Sequence, residues 1–130
     1  MAKPGAPVVI QVWGDPERCD LDALHGALAP FLPPRPAGGP GLWKPGVLER
    51  LATEAGLTPR HAFESRWAYT FADDEELARG LLAAANAVLA VEAAGEEPVR
   101  AAIVEAFARD RARDGSYRLA NEWHYLVAAG

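Results

Sequence analysis

Residues 7–14 read PVVIQVWG, and the interpretation of this stretch decides the fold. In an extended chain, Val8, Ile10 and Val12 take one side and Val9, Gln11 and Trp13 the other. Both sides are mainly apolar, whereas a strand with one wet face alternates polar and apolar more cleanly. The pattern predicts a strand from Val8 to Trp13, covered by helices on both sides and central in a sheet. Gly14-Asp15-Pro16 ends it. Yet only a short Lys3-Pro4-Gly5 turn precedes it.

Working outward, Asp20 is placed to cap a helix running to about Ala29, with Leu21, Leu24 and Leu28 as its apolar stripe. Pro30 to Pro45 (PFLPPRPAGGPGLWKP) is a long loop, of the kind that is functional or flexible. A second helix opens at Pro45 or Gly46. It turns Val47, Leu48, Leu51 and Ala55 inward, and Gly56 ends it. From Arg60 to Phe71 the odd positions carry His61, Phe63, Trp67, Tyr69 and Phe71, while Glu64, Arg66 and Thr70 fall on even positions. This is a strand with one apolar face.

Asp73-Asp74-Glu75-Glu76 puts acid in the first turn of a third helix, continuing through Leu77, Leu81, Leu82 and Val88. After Gly95, Glu96-Glu97 with Pro98 at an N1-like position opens a fourth helix. Its stripe is Val99, Ala102, Ile103, Ala106 and Phe107. An Asp114-Gly115 turn leads to a last strand centred on Trp123 to Val127. Strand, helix, helix, strand, two helices, strand is the order of an α/β layer.

Composition narrows the function classes. At 130 residues the chain is of single-domain length. A net charge of −5, with Arg scattered among Asp and Glu, argues against binding nucleic acid through phosphates. Cys19 is the sole cysteine, so no internal disulfide and no Cys-based zinc site is expected. No apolar run is long enough to span a membrane and no signal-peptide pattern occurs, so the expected location is the cytoplasm.

Several segments then point to a family. KPGAPVVIQVWG resembles the Lys-Pro-Gly turn and fifth strand of class I S-adenosylmethionine-dependent methyltransferases, with Ala2 in place of the usual Leu and Ala6 in place of a second Gly. LERLATEAGLTPRHAFES resembles the helix, Ala-Gly turn and sixth strand of that fold. DGSYRLANEWHYLVAAG resembles its seventh strand, in the branch of ubiquinone/menaquinone-type and small-molecule methyltransferases. The segments come in the family's order and cover essentially the whole chain.

The resemblance implies an α/β fold: a small mixed sheet of about three strands in the spatial order first–third–second, with packed helices and the last strand antiparallel to its neighbours. It implies one domain over residues 1–130, with a helical, lid-like insertion over 73–113. It also implies a missing half. The family holds S-adenosylmethionine on a Gly-rich loop after its first strand and an acidic residue ending its second. No Gly-x-Gly-x-Gly follows a strand here; the only Gly-rich stretch, Ala37 to Gly41, is embedded in prolines. No cofactor is therefore expected on this chain alone.

Ligands in open α/β sheets bind beyond the carboxyl ends of strands. Trp13 and Arg18 lie just past such an end, as a substrate wall and an anion or carbonyl contact, or else as a core Trp and a surface Arg. The aromatic run Trp67, Tyr69 and Phe71 has the spacing of core packing, with substrate contact as the other reading. His124 and His61 are candidate general bases, His25 sits on a helix, and no histidine pair has metal-ligand spacing. Cys19 is a spectator thiol or one activated by a helix start. The substrate-contact set is thus Trp13, Arg18, Trp67, Tyr69 and His124.

Two functional readings follow. In one the chain is the substrate-side half of a methyltransferase, inactive without its cofactor-binding half. In the other it is a repurposed small-molecule-binding or dimerisation module. An apolar first strand without its neighbour is expected to be covered by self-association, as a homodimer, or by the missing half.

Overall fold

The structure is a computed structural model and describes residues 3–36, 39 and 41–130. Met1 and Ala2 lie outside the described residues, as do Ala37, Gly38 and Pro40 of the Gly-rich stretch. The strands are β1 (Pro7–Trp13), β2 (Thr58–Phe71) and β3 (Tyr117–Ala129), in the order β1-β3-β2. The helices are α1 (Ala23–Leu28), α2 (Val47–Glu54), α3 (Asp74–Leu82), α4 (Ala85–Ala94) and α5 (Glu96–Ala106).

The chain is mixed α and β, and the expected strand order holds. The sheet is antiparallel throughout, however, and not mixed. The last strand lies between the other two and runs against both, which leaves no parallel pair hydrogen-bonded. β1 pairs with β3 from Pro7 opposite Ala129 to Trp13 opposite Trp123. β1 and β2 are edge strands, which is why Pro59 is tolerated inside β2.

The chain divides into two compact units. One comprises Met1–Cys19, Ala37–Trp67 and Asn121–Gly130; the other comprises Asp20–Pro36 and Ala68–Ala120. In the first, sheet-bearing unit, β1 departs from expectation. Val8, Ile10 and Val12 are half-buried, but Pro7, Val9, Gln11 and Trp13 are exposed. Apolar residues on both sides of a strand record what the strand would bury, and in this unit only one side is shielded. α2 begins at Val47, after Gly46 with φ 76°. Its buried residue is Ala52, flanked by half-buried Val47, Leu48 and Leu51; Ala55, placed inward by the sequence pattern, is exposed. Gly56, at φ 83°, ends the helix as expected. Its N–H donates to the Thr53 carbonyl and that of Leu57 to the Ala52 carbonyl, the paired bonds of a Schellman motif.

The second unit is helical and has an apolar core of Leu28, Leu77, Ala87, Ala90, Val99, Ile103, Phe107 and Leu119, each fully buried. Asp20 does not cap α1. It sits in a 3-10 turn, and its carboxylate accepts the Ala120 backbone N–H at 2.7 Å, a tertiary bond that local pattern does not reveal. α1 is correspondingly short, and Ala29 begins another 3-10 turn.

The acidic start of α3 is as expected: the Asp73 carboxylate accepts the Glu76 N–H at 2.8 Å. The expected long third helix instead breaks at Ala83-Ala84 into α3 and α4, which meet at 95°. α3 buries Leu77, Ala78 and Leu81, and α4 buries Ala87 and Ala90. At roughly 100° per residue these two sets would fall on nearly opposite sides of one straight helix, and the bend turns both inward. α5 buries Val99 and Ile103, with Pro98 at its third residue rather than its first.

The Tyr117 hydroxyl donates to Asp74 Oδ1 at 2.6 Å, and Arg111 Nε donates to the same oxygen at 3.0 Å. These bonds, Tyr117 foremost, hold the Asp74 carboxyl below its ordinary value. Burial, reinforced by Asp74, pushes the Tyr117 hydroxyl up to about 12.

Candidate functional site

The sheet-bearing unit gathers most of the residues singled out from the sequence, and it sorts them onto two faces. Opposed residues in an antiparallel pair share a face. Trp13, Gln11 and Val9 therefore lie on the same face as Trp123, Tyr125 and Val127, while Val12, Ile10 and Val8 share the other with His124, Leu126 and Ala128.

The first face is aromatic. Trp123 is stacked with Trp13, with ring centroids 4.0 Å apart, and with Trp67, 5.2 Å apart. Phe63 is stacked on Tyr125 at 4.9 Å with nearly parallel rings, and His61 lies 5.5 Å from Phe63. The Trp13–Trp123, Trp67–Trp123 and Phe63–Tyr125 stacks join neighbouring strands, each worth about 0.5–1.5 kcal/mol beyond the area it buries. The aromatic run was expected to be core. Of that run Trp67 is 40 % exposed, whereas Tyr69 and Phe71 are half-buried; Trp13 and Phe63, which share this face with Trp67, are 48 and 43 % exposed. The buried Trp123 Nε1 has no hydrogen-bond partner among the described residues. Tyr69 and Phe71, two and four residues beyond Trp67 on the strand, fall in the helical unit, where Phe71 packs against the apolar core.

The second face is polar at one end. Glu122 is buried, and its carboxylate is the centre of a small network. Arg18 Nη1 donates to Oε2 at 3.1 Å, and His124 Nε2 lies 3.1 Å from Oε1. The Asp15 N–H approaches Oε1 at 3.5 Å. Burial pushes the Glu122 carboxyl up, but the bonds from Arg18 and His124 outweigh it and hold the group below its ordinary value. Glu64 on β2 completes the cluster, with Oε1 3.4 Å from His124 Nε2.

Backbone supports the placement. The Gly14 N–H donates to the Glu122 carbonyl at 2.8 Å, and a side chain at 14 would collide with Glu122 Cγ at 2.7 Å, so glycine is required there. The Gly14-Asp15-Pro16 turn then swings Arg18 back over Glu122. The Asp15 carboxylate accepts the Glu17 N–H and starts the 3-10 turn Pro16–Arg18 that carries the guanidinium.

A cavity of about 360 Å³ adjoins this face. Its lining includes Trp43, Lys44 and Leu48 from the loop and α2, Glu64 from β2, and His124 and Leu126 from β3. Lys44 Nζ sits 5.9 Å over the Trp43 ring.

The structure thus brings Arg18 and His124 together through Glu122, and Trp13 and Trp67 together through Trp123. It does not bring all five candidates to one place. Cys19 is buried, with Sγ against the Glu122 carbonyl at 3.5 Å, as suits a spectator thiol. His25 pairs with Asp22 in the open, and His61 is exposed. Sequence reasoning missed Glu122 and Glu64. The signal for the first was present, since Glu122-x-His124 on a strand places both side chains on one face; Glu64 comes from a strand whose register the sequence does not specify.

No protein-family model and no curated protein matches this chain.

Proposed function

We infer that the chain is the substrate-side half of a methyltransferase-like fold and does not transfer methyl groups alone. The observation that carries this reading is the strand order β1-β3-β2, with β3 inserted antiparallel between the other two. That arrangement, joined to the Lys3-Pro4-Gly5 turn before β1, is what the resemblance implies for the fifth, seventh and sixth strands. S-adenosylmethionine is the cofactor of the complete enzyme. It would be held by a Gly-rich loop and a carboxylate that these residues do not supply, so the site is shared with a further segment or a partner chain.

A second reading has its own support. The cavity beside His124 and Lys44 has the size of a small-molecule pocket, which suits a repurposed binding module. The open aromatic face suits self-association as a homodimer.

Calorimetric titration of the purified chain with S-adenosylmethionine tests the first reading. No saturable binding is expected, and tight binding by this chain alone overturns the half-site proposal. Sedimentation of the same sample tests the homodimer, and a monomer across the concentration range removes it.

A further inference from the structure

Neither reading uses the acidic pair around His124. We propose that Glu64, Glu122 and His124 form a binding site for a divalent transition-metal ion, with Zn²⁺ the best-suited ion, whose remaining coordination positions open onto the adjoining cavity.

The geometry of the donors carries the proposal. One ligand atom from each residue lies within 4.8 Å of the other two, the only such group found among the described residues. His124 Nε2 is 3.1 Å from Glu122 Oε1 and 3.4 Å from Glu64 Oε1. An ion bound to nitrogen and oxygen at roughly 2.0–2.2 Å holds neighbouring ligands roughly 3–3.5 Å apart, so these separations already match the edges of a coordination shell. A single imidazole nitrogen, by contrast, carries at most one hydrogen and can satisfy only one of the two carboxylates at a time.

The surroundings fit as well. Glu122 and His124 are fixed two apart on the central strand, and Arg18 holds Glu122 through its other oxygen, Oε2, as outer-shell partners orient a ligand. Glu64, by contrast, has a side chain 56 % exposed and can adjust to the ion. Glu64 and His124 both line the cavity, which leaves room for water or a ligand in the open positions. With neutral His124, two carboxylates and Arg18 leave one net negative charge. A divalent cation reverses it, and an anionic oxygen ligand entering past Lys44 would restore neutrality. An imidazole with two carboxylates suits zinc more than the harder calcium or magnesium.

The experiment uses the full chain stripped with chelator and titrated with Zn²⁺ alone, with metal counted by mass spectrometry after dialysis. One Zn²⁺ per chain is expected. His124→Ala and Glu64→Gln should each weaken binding at least about 100-fold, given that losing even an outer-shell partner costs about 10–100-fold. Glu64→Gln alters an exposed group and keeps the test meaningful if a Glu122 variant fails to fold. Co²⁺ in place of Zn²⁺ should show d–d absorption that disappears in Glu64→Gln. Absence of saturable binding, undiminished binding in both variants, or a thiolate-to-cobalt charge-transfer band marking Cys19 as the ligand would each overturn the assignment.

Discussion

In the helical unit the fully buried side chains are Leu, Ile, Val, Phe and Ala, together with Tyr117; in the sheet-bearing unit a charged Glu122 is among the most buried, while Val9, Trp13, Phe63 and Trp67 stand 40 to 60 % exposed. The difference follows from geometry. Helices each bury one stripe, and α1, α3, α4 and α5 turn those stripes toward a common centre. A sheet has two faces, and one eight-residue helix with its loop shields only part of one. What remains is held by ring stacking on one side and by an ion pair on the other. Stability and chemistry are therefore concentrated in different units.

The strongest way to break this contrast is Phe107→Ala. Phe107 is fully buried, and removing its ring should cost about 3–5 kcal/mol in chemical denaturation. A loss below about 1 kcal/mol would mean that the helical core is loosely packed.

The next effect is electrostatic and smaller. Tyr117 titrates at about 12 in the folded chain against an ordinary value of 10.0. The folded state thus holds the proton more tightly than the unfolded state. The associated stabilisation is complete below the unfolded value and fades as pH rises through the folded one. As pH rises from below 10 to above 12, about 2–3 kcal/mol should be lost. In Tyr117→Phe that part of the decline should vanish from unfolding curves measured across the same range. An unchanged slope would show that the hydroxyl is not the group responsible.

The smallest effect is expected on the aromatic face. Trp67→Ser removes one stacking partner from Trp123 but leaves a residue already partly in water, so the cost should be about 1 kcal/mol. The same substitution should weaken any self-association seen by sedimentation. If it destabilises the monomer as much as Phe107→Ala does, the face is core after all and the contrast fails.

Much of the architecture was legible because it is set locally. A β-branched run apolar on both sides gave β1, alternation gave β2, the acidic run Asp73–Glu76 gave the start of α3, and Gly56 gave the end of α2. Coverage was not legible: PVVIQVW records apolar faces, but which face is shielded depends on segments far along the chain. The bend between α3 and α4 was hidden for the same reason, since Ala83 and Ala84 favour helix and only the shared core turns the axis. Asp20 looked like a cap and serves a backbone N–H on β3 instead. At the candidate site, Arg18 and His124 were visible as isolated chemistry. Glu122 beside His124 follows from their spacing on the strand, but its pairing with Arg18 was hidden, because it forms only when the Gly14 turn brings Arg18 back over the sheet.

The position of β3 has a consequence for biosynthesis. Of these three strands β1 is made before β2, yet each finds its sheet neighbour in β3, which follows both: Ile10 must wait for Leu126, and Trp13 for Trp123. The helical segments can collapse while the chain is still growing. The sheet cannot close until Tyr117–Ala129 has been synthesised. Until then β1 lacks its sheet partner, so closure of the sheet rests on contacts far apart in the sequence.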